Sequence, residues 1–377
     1  MSEEKILMKG NEALAAAAVR AGCRFYFGYP ITPQTEVAAY MSKAMPKIGG
    51  TFLQAESEIA AVNMLYGAAA AGARAMTSSS SPGISLKGEG ISYMAGADLP
   101  AVIVNVQRGG PGLGTIQPSQ SDYWQATRAM GHGDSRHIVL APSTVQEDAD
   151  LVYLAFDKAD EYRMPVIILA DGLLGQMMEP VVLPPEKEDL PEKPWATVGH
   201  HHKRAHNVAN SLYLQPAELE EVLKERYERY ARIEREEQRF EGVMLDDAEY
   251  VVVAFGAAAR IARSAVVAAR EEGIKAGLLR PITLWPFPAD GVKQAAEHAK
   301  AFLSVEFNMG QMVDDVRLHV AGKAPVEFFG RAGGVIPTPD EVLFALRDQA
   351  AGKPVTPGMG VAQSAAGQLV IDPKESV

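Results

Sequence analysis

Three stretches of this chain put acid–base or anion-binding groups on a loop that follows a hydrophobic run. The first is Tyr29-Pro30-Ile31-Thr32-Pro33. Its spacing predicts a rigid turn that opens a helix at Pro33 with Thr32 as the cap, offering a hydroxyl and free backbone N–H groups to a small carboxylate. A helix that is merely well capped would carry the same residues. The second stretch is Gln54-Ala55-Glu56-Ser57-Glu58-Ile59-Ala60-Ala61. Acids in a first turn complement the helix dipole in any protein. Glu58, however, leads into a helix made almost entirely of Ala, Val, Met, Leu and Gly, where a carboxyl can be partly buried and can hold or share a proton. The third is Arg108, just past the run Ala101-Val102-Ile103-Val104-Asn105-Val106. It points either to solvent or into the crevice beyond the strand, where its fork would clamp a carboxylate.

Other chemistry-bearing patterns lose their force on inspection. Gly109-Gly110-Pro111-Gly112-Leu113-Gly114 has the glycines of a dinucleotide loop, but Pro111 interrupts it and no acid follows at the right distance. No phosphate-binding GxxxxGK[ST] is present. His200-His201-His202 reads as a solvated loop, because neighbouring side chains point apart. The single cysteine, Cys23, excludes an internal disulfide, a structural zinc site and an iron–sulfur cluster. At a helix-to-strand junction it reads as a small buried residue. Any metal centre for electron transfer must therefore belong to another chain.

The elements that position these groups alternate. Helices are predicted over 11–21, 33–45 and 57–71, with strands at 24–27, 51–54 and 73–76 between them. Thr77-Ser78-Ser79-Ser80-Ser81-Pro82-Gly83 reads as a polar loop. The continuously apolar runs 101–106, 138–140 and 166–169 suit parallel strands covered on both faces. The fold class is thus α/β with open, mostly parallel sheets, whose ligands gather beyond the strands' carboxyl ends. A Pro-rich linker and a charged helix, ending in ERYERYARIEREEQRF, occupy 186–247 and are expected to form an exposed bridge laced with i,i+4 ion pairs. A second α/β unit spans 248–360, and a tail with little periodicity, 361–377, is expected to wrap a partner or stay loosely ordered. The first domain is accordingly 1–185.

Composition narrows the partners. The chain has 377 residues, with 36 Lys+Arg against 47 Asp+Glu and a net charge of −11. That balance argues against a nucleic-acid backbone or an anionic membrane as the main partner. No apolar run is long enough for a spanning helix, and MSEEKILMKG has no apolar core of a secretory signal, so a cytoplasmic location is expected.

Taken in order, GYPITPQ (28–34), QAESEIAAVNMLYGAAAAGA (54–73), TSSSSPGISL (77–86), VNVQRGGPGLGTIQPSQSDY (104–123), ILADGLLGQMMEP (168–180) and VEFNMGQM (305–312) resemble the α subunit of the 2-oxoacid:ferredoxin oxidoreductases. The wording RGGPGLG and QPSQSDY is most similar to the branched-chain, 2-oxoisovalerate type. The resemblance covers nearly the whole chain.

That resemblance implies a pyrimidine-binding domain followed by a transketolase-C-like domain. It implies oxidative decarboxylation of a 2-oxoacid with coenzyme A, giving acyl-CoA, CO2 and electrons for ferredoxin. Thiamine diphosphate would be shared with a β subunit that holds the diphosphate and Mg2+, and gamma/delta-type subunits or ferredoxin would carry the iron–sulfur clusters. Carried over by position, Glu58 contacts N1′ of the aminopyrimidine and shares a proton there, Glu56 being its rival. Tyr29 and Pro30 border the cofactor, and Thr32 and Arg108 hold the substrate carboxylate. A 2-oxoglutarate enzyme would need a second cation, for which Arg74, Arg128 and Arg136 are candidates. Pyruvate as substrate, a ferredoxin-independent thiamine enzyme and a non-catalytic scaffold are the competing readings.

Overall fold

A computed structural model describes residues 5–358, 361–363 and 369–371. Contacts divide the chain into two units. The first contains residues 1–107, 125–237 and 284–286, and the second contains 108–124, 238–283 and 287–377. The charged helix therefore counts with the first unit up to Glu237, and the segment bearing Arg108 counts with the second.

The first unit is built on a seven-stranded sheet. In spatial order its strands are Thr283–Trp285, Ile138–Leu140, Pro165–Asp171, Ala101–Gln107, Ala75–Ser79, Phe25–Gly28 and Thr51–Gln54. The six strands from Ile138–Leu140 to Thr51–Gln54 pair in parallel. Ala101–Gln107 and Pro165–Asp171 are buried along their whole length, as expected for central strands covered on both faces. The helices Gly10–Arg20, Glu58–Ala70, Ser81–Gly96 and Val145–Tyr162 supply that cover; Ser81–Gly96 buries a face of Gly, Ser, Ile and Met with Lys87, and the other three bury stripes rich in Ala, Val and Leu.

Three expectations change. The polar run after 76 is not a loop. The strand continues to Ser79 and the next helix starts at Ser81, with Thr77, Ser78, Ser79 and Ser80 all buried. Hydroxyls can occupy a buried strand where neighbours take their hydrogen bonds, and Thr77 Oγ1 donates to Phe27 O at 2.6 Å. The helix predicted at Pro33 begins instead at Thr35, with Gln34 at its N-cap. Nor is the charged helix, Pro216–Glu236, a free-standing bridge. Arg226, Tyr230 and Ile233, spaced four and three apart, turn inward and are buried, and Arg226 and Arg229 both pair with Asp98. Its outward face does carry the expected pairs, such as Arg232 with Glu236 at 2.9 Å.

The second unit has a five-stranded sheet in the order Val326–Gly330, Ala301–Glu306, Tyr250–Val253, Ala276–Pro281, Phe240–Val243. Only the edge strand Phe240–Val243 runs antiparallel. Helices Gly256–Glu271, Met312–Val320 and Pro339–Ala350 pack on it. The expected tail, 361–377, lies outside the described residues apart from the paired strands Val361–Gln363 and Leu369–Ile371. Among the described residues no helix is long and apolar enough to cross a membrane.

Candidate active site

Glu58 stands on the first turn of the helix Glu58–Ala70, whose N-cap Ser57 accepts the backbone N–H of Ala60 at 3.2 Å. The two neighbouring acids part company here, because Glu56 is exposed and Glu58 is only 6% exposed. Gly83, in the first turn of Ser81–Gly96, comes close to it. A Cβ on Gly83 would lie 2.7 Å from Glu58 Oε1 and 2.1 Å from Ser79 Oγ. Glycine is what leaves room for the carboxylate. Beside it, the hydroxyls of Ser79 and Ser80 are buried with no hydrogen-bond partner among the described residues.

One turn further along the same helix, Lys87 is completely buried. Its Nζ donates to Thr77 Oγ1 at 2.5 Å and to Ser78 O at 3.2 Å. Burial pushes its amine down to about 7, and the negative charge of Glu58 works in the other direction. Around Ser78 the network continues. Its Oγ lies 2.6 Å from the Tyr26 hydroxyl and donates to Gln34 Oε1. Burial holds the Tyr26 phenol well above the usual tyrosine range.

The expected cap at Thr32 is corrected by the same network. Pro33 O is taken by the Asn11 side-chain amide at 2.9 Å rather than by the helix, and the side chain at the true N-cap, Gln34, is turned inward to Ser78. Thr32 is exposed and precedes a cis peptide bond to Pro33. Tyr29 and Pro30 are also exposed, and Tyr29 O accepts from Gln34 Nε2 at 3.4 Å.

In the second unit Arg108 is buried and donates to Leu113 O at 3.1 Å. The loop closes tightly behind it: Thr115 N donates to Gly109 O at 2.8 Å, and Gly114 has φ +56° with a Cβ position only 1.8 Å from Gly109 O. No side chain fits there. The stretch that follows is anchored by Gln120, whose side chain donates to Phe255 O at 2.8 Å and accepts from Phe307 N at 3.2 Å. Asn308 Nδ2 donates to Gln120 O at 2.8 Å. At the centre of this anchor sits Glu306, fully buried, accepting the backbone N–H groups of Gln311, Met312 and Val313 at 3.1, 2.8 and 2.9 Å. It caps the helix Met312–Val320 from inside. Burial raises its proton affinity and these donors oppose that rise.

Comparison with known proteins decides the family. Residues 16–244 match the model described as "Pyruvate flavodoxin/ferredoxin oxidoreductase, thiamine diP-bdg", and residues 248–342 match "Pyruvate:ferredoxin oxidoreductase core domain II". The ketoisovalerate oxidoreductase subunit VorB of Methanothermobacter thermautotrophicus is 52% identical, covering 91% of this chain and 97% of its own. The chain belongs to the 2-oxoacid:ferredoxin oxidoreductase family. The 2-oxoglutarate synthase subunit KorA of the same organism is 38% identical, covering 90% of this oxidoreductase subunit and 97% of its own chain. Among solved structures, the 2-oxoglutarate:ferredoxin oxidoreductase from Magnetococcus marinus, with 2-oxoglutarate, coenzyme A and succinyl-CoA bound, aligns with a TM-score of 0.83 at 27% identity. It covers 92% of this subunit, which spans 65% of that longer chain. A split-gene transketolase, at TM-score 0.57 and 16% identity over 90% of this subunit and 97% of that chain, shares the fold.

For this oxidoreductase subunit, the structure places Tyr29, Pro30, Thr32 and Glu58 in the first unit and Arg108 in the second. Arg74, a candidate second cation, is committed elsewhere: it binds Asp157, Asp160 and Ala21 O at 2.7, 2.8 and 2.6 Å. Cys23 is buried as expected, and burial pushes its thiol up to about 12. Sequence reasoning missed Lys87, one residue past the quoted TSSSSPGISL. The signal was helical spacing, since 80, 84, 87, 91 and 94 share one face and all the others are small or apolar.

Proposed function

We propose that the chain is the pyrimidine-binding subunit of an enzyme that oxidatively decarboxylates a branched-chain 2-oxoacid, 2-oxoisovalerate, with coenzyme A. The products are acyl-CoA and CO2, and the two electrons released pass to ferredoxin. The observation that carries the substrate is that the relative named for ketoisovalerate is 52% identical and the one named for 2-oxoglutarate 38%, over similar shares of the chain.

The residues around Glu58 fit the pyrimidine end of thiamine diphosphate. A buried carboxylate and two buried hydroxyls, Ser79 and Ser80, without hydrogen-bond partners among the described residues suit a polar ring. When bound, that cofactor supplies a carbon nucleophile and an electron sink for decarboxylation. Glu58 holds and returns a proton at N1′ of the pyrimidine, and its burial keeps water from competing for that proton. Tyr29 and Pro30 border the ring. Thr32 and Arg108 orient the substrate through its carboxylate, Arg108 being held in place by Leu113 O. Mg2+ and the diphosphate contacts belong to a β subunit, and the iron–sulfur clusters to gamma/delta-type subunits or ferredoxin.

Anaerobic purification of the native complex tests the reading. Companion chains with clustered cysteines, bound thiamine diphosphate and CoA-dependent dye reduction with 2-oxoisovalerate ahead of 2-oxoglutarate and pyruvate are expected. A lone chain without cofactor, or a preference for 2-oxoglutarate, would reject it.

A further inference from the structure

Within the second unit, the segment that carries Arg108 is clamped to the end of the strand Ala301–Glu306. Ser119 Oγ and Gln120 N both donate to Phe307 O, at 3.2 and 3.0 Å. Asn308 closes the clamp, its Nδ2 donating to Gln120 O at 2.8 Å and to Glu306 Oε2 at 3.0 Å. An asparagine amide could sit either way round, and here its direction is forced. Five donors converge on the Glu306 carboxyl, two on Oε1 and three on Oε2, leaving neither oxygen to act as a donor. The Asn308 nitrogen must therefore face Glu306, and its second N–H is left for Gln120 O. On the other side, Asn308 Oδ1 accepts Gly310 N at 2.7 Å, which the opposite orientation would forbid.

The clamp reaches Arg108 in one step. Pro118, two residues before Gln120, pairs with Arg108 as an antiparallel bridge, and Gly109 N donates to Gln117 O at 3.0 Å. Ser119, Gln120, Glu306 and Asn308 are all buried, so water cannot replace a bond that is cut. We propose that Asn308, oriented by Glu306, is a positioning residue for substrate binding: it fixes Gln120 and, through the pairing of Pro118 with Arg108, the backbone from which Arg108 meets the substrate carboxylate. This rests on the reading of Arg108 given above and adds groups that need not touch the substrate.

The test is steady-state kinetics of the assembled enzyme, with 2-oxoisovalerate and coenzyme A varied in turn. Asn308→Asp turns an oxygen toward Glu306 Oε2 and Gln120 O. It should raise KM for the 2-oxoacid about tenfold while kcat and KM for coenzyme A stay within about twofold, the pattern of a lost binding contact. Ser119→Ala removes only the bond to Phe307 O and should raise the same KM about two- to threefold, which keeps the test open if Asn308→Asp does not fold. Because the clamp acts through Arg108, Arg108→Met alone should raise that KM, and adding Asn308→Asp to it should raise it little further. If Arg108→Met leaves the KM unmoved, the reading of Arg108 fails. If Arg108→Met raises it and the two clamp variants do not, or if the effects are fully additive or fall equally on coenzyme A, this proposal alone is overturned.

Discussion

The Glu58 carboxylate rests against the α-carbon of Gly83, so close that a single methyl group on that carbon would lie 2.7 Å from Oε1. The glycine is helical, and alanine there would normally gain up to about 1 kcal/mol in helix propensity. The same methyl would strike Ser79 Oγ at 2.1 Å, but that short hydroxyl can rotate. The carboxylate must shift instead. Gly83→Ala is therefore expected to stay within about 1 kcal/mol of the parent in denaturant midpoint. Its turnover should fall about a hundredfold, the usual cost of a displacement near 1 Å. Loss of folding, or unchanged turnover, would contradict this.

Glu58→Gln keeps shape and hydrogen bonding while removing the exchangeable charge. Turnover of the assembled enzyme should drop at least about a hundredfold with the complex intact on gel filtration. Near-normal turnover would remove the role assigned to Glu58.

Stability should rise with pH from neutrality, and Lys87 is the reason. Its amine sits at about 7 in the folded chain against 10.5 in the unfolded one. Between those values the unfolded state holds a proton that the folded state has shed, so raising the pH favours folding. From pH 7 to pH 9 the gain is about 2 kcal/mol. Cys23, raised to about 12 from 9.0, opposes this only above pH 9, where the unfolded thiol ionises first. Urea titrations at the two pH values should show the rise in the parent and lose it in Lys87→Met. Equal slopes in both would count against a buried, largely desolvated lysine.

Arg74 offers a control on substrate choice. Arg74→Met leaves Asp157, Asp160 and the Ala21 carbonyl with fewer partners, and about 3 kcal/mol of stability should go with it. The order in which the enzyme prefers 2-oxoacids should not change. A selective loss of 2-oxoglutarate turnover would restore Arg74 as a substrate-binding cation.

Much of this was legible in the residues. The apolar runs at 101–106 and 166–169 announced central parallel strands, and Glu58 stood out because an acid led an otherwise apolar helix. Three features were hidden for physical reasons. Thr77 and Ser78 look like loop residues until the acceptors that bury them, Phe27 O and Gln34, are brought near by the fold. Thr32 has the composition of a cap, but the Asn11 side chain, distant in sequence, claims Pro33 O and delays the helix to Thr35. Glu306 was quoted within VEFNMGQM without a role, since only the turn at 307–311 folds three N–H groups back onto it.

The exchange of short segments between the two units has a genetic corollary. Residues 108–124 are encoded within the first domain but find their hydrogen bonds on Phe255, Phe307 and Asn308, and Leu284–Pro286 is encoded within the second but counts with the first. Splitting the gene near residue 245 would give two polypeptides, each carrying a piece the other needs. A gene cut at that point would leave residues 108–124 on one polypeptide and their hydrogen-bond partners on Phe255, Phe307 and Asn308 on the other.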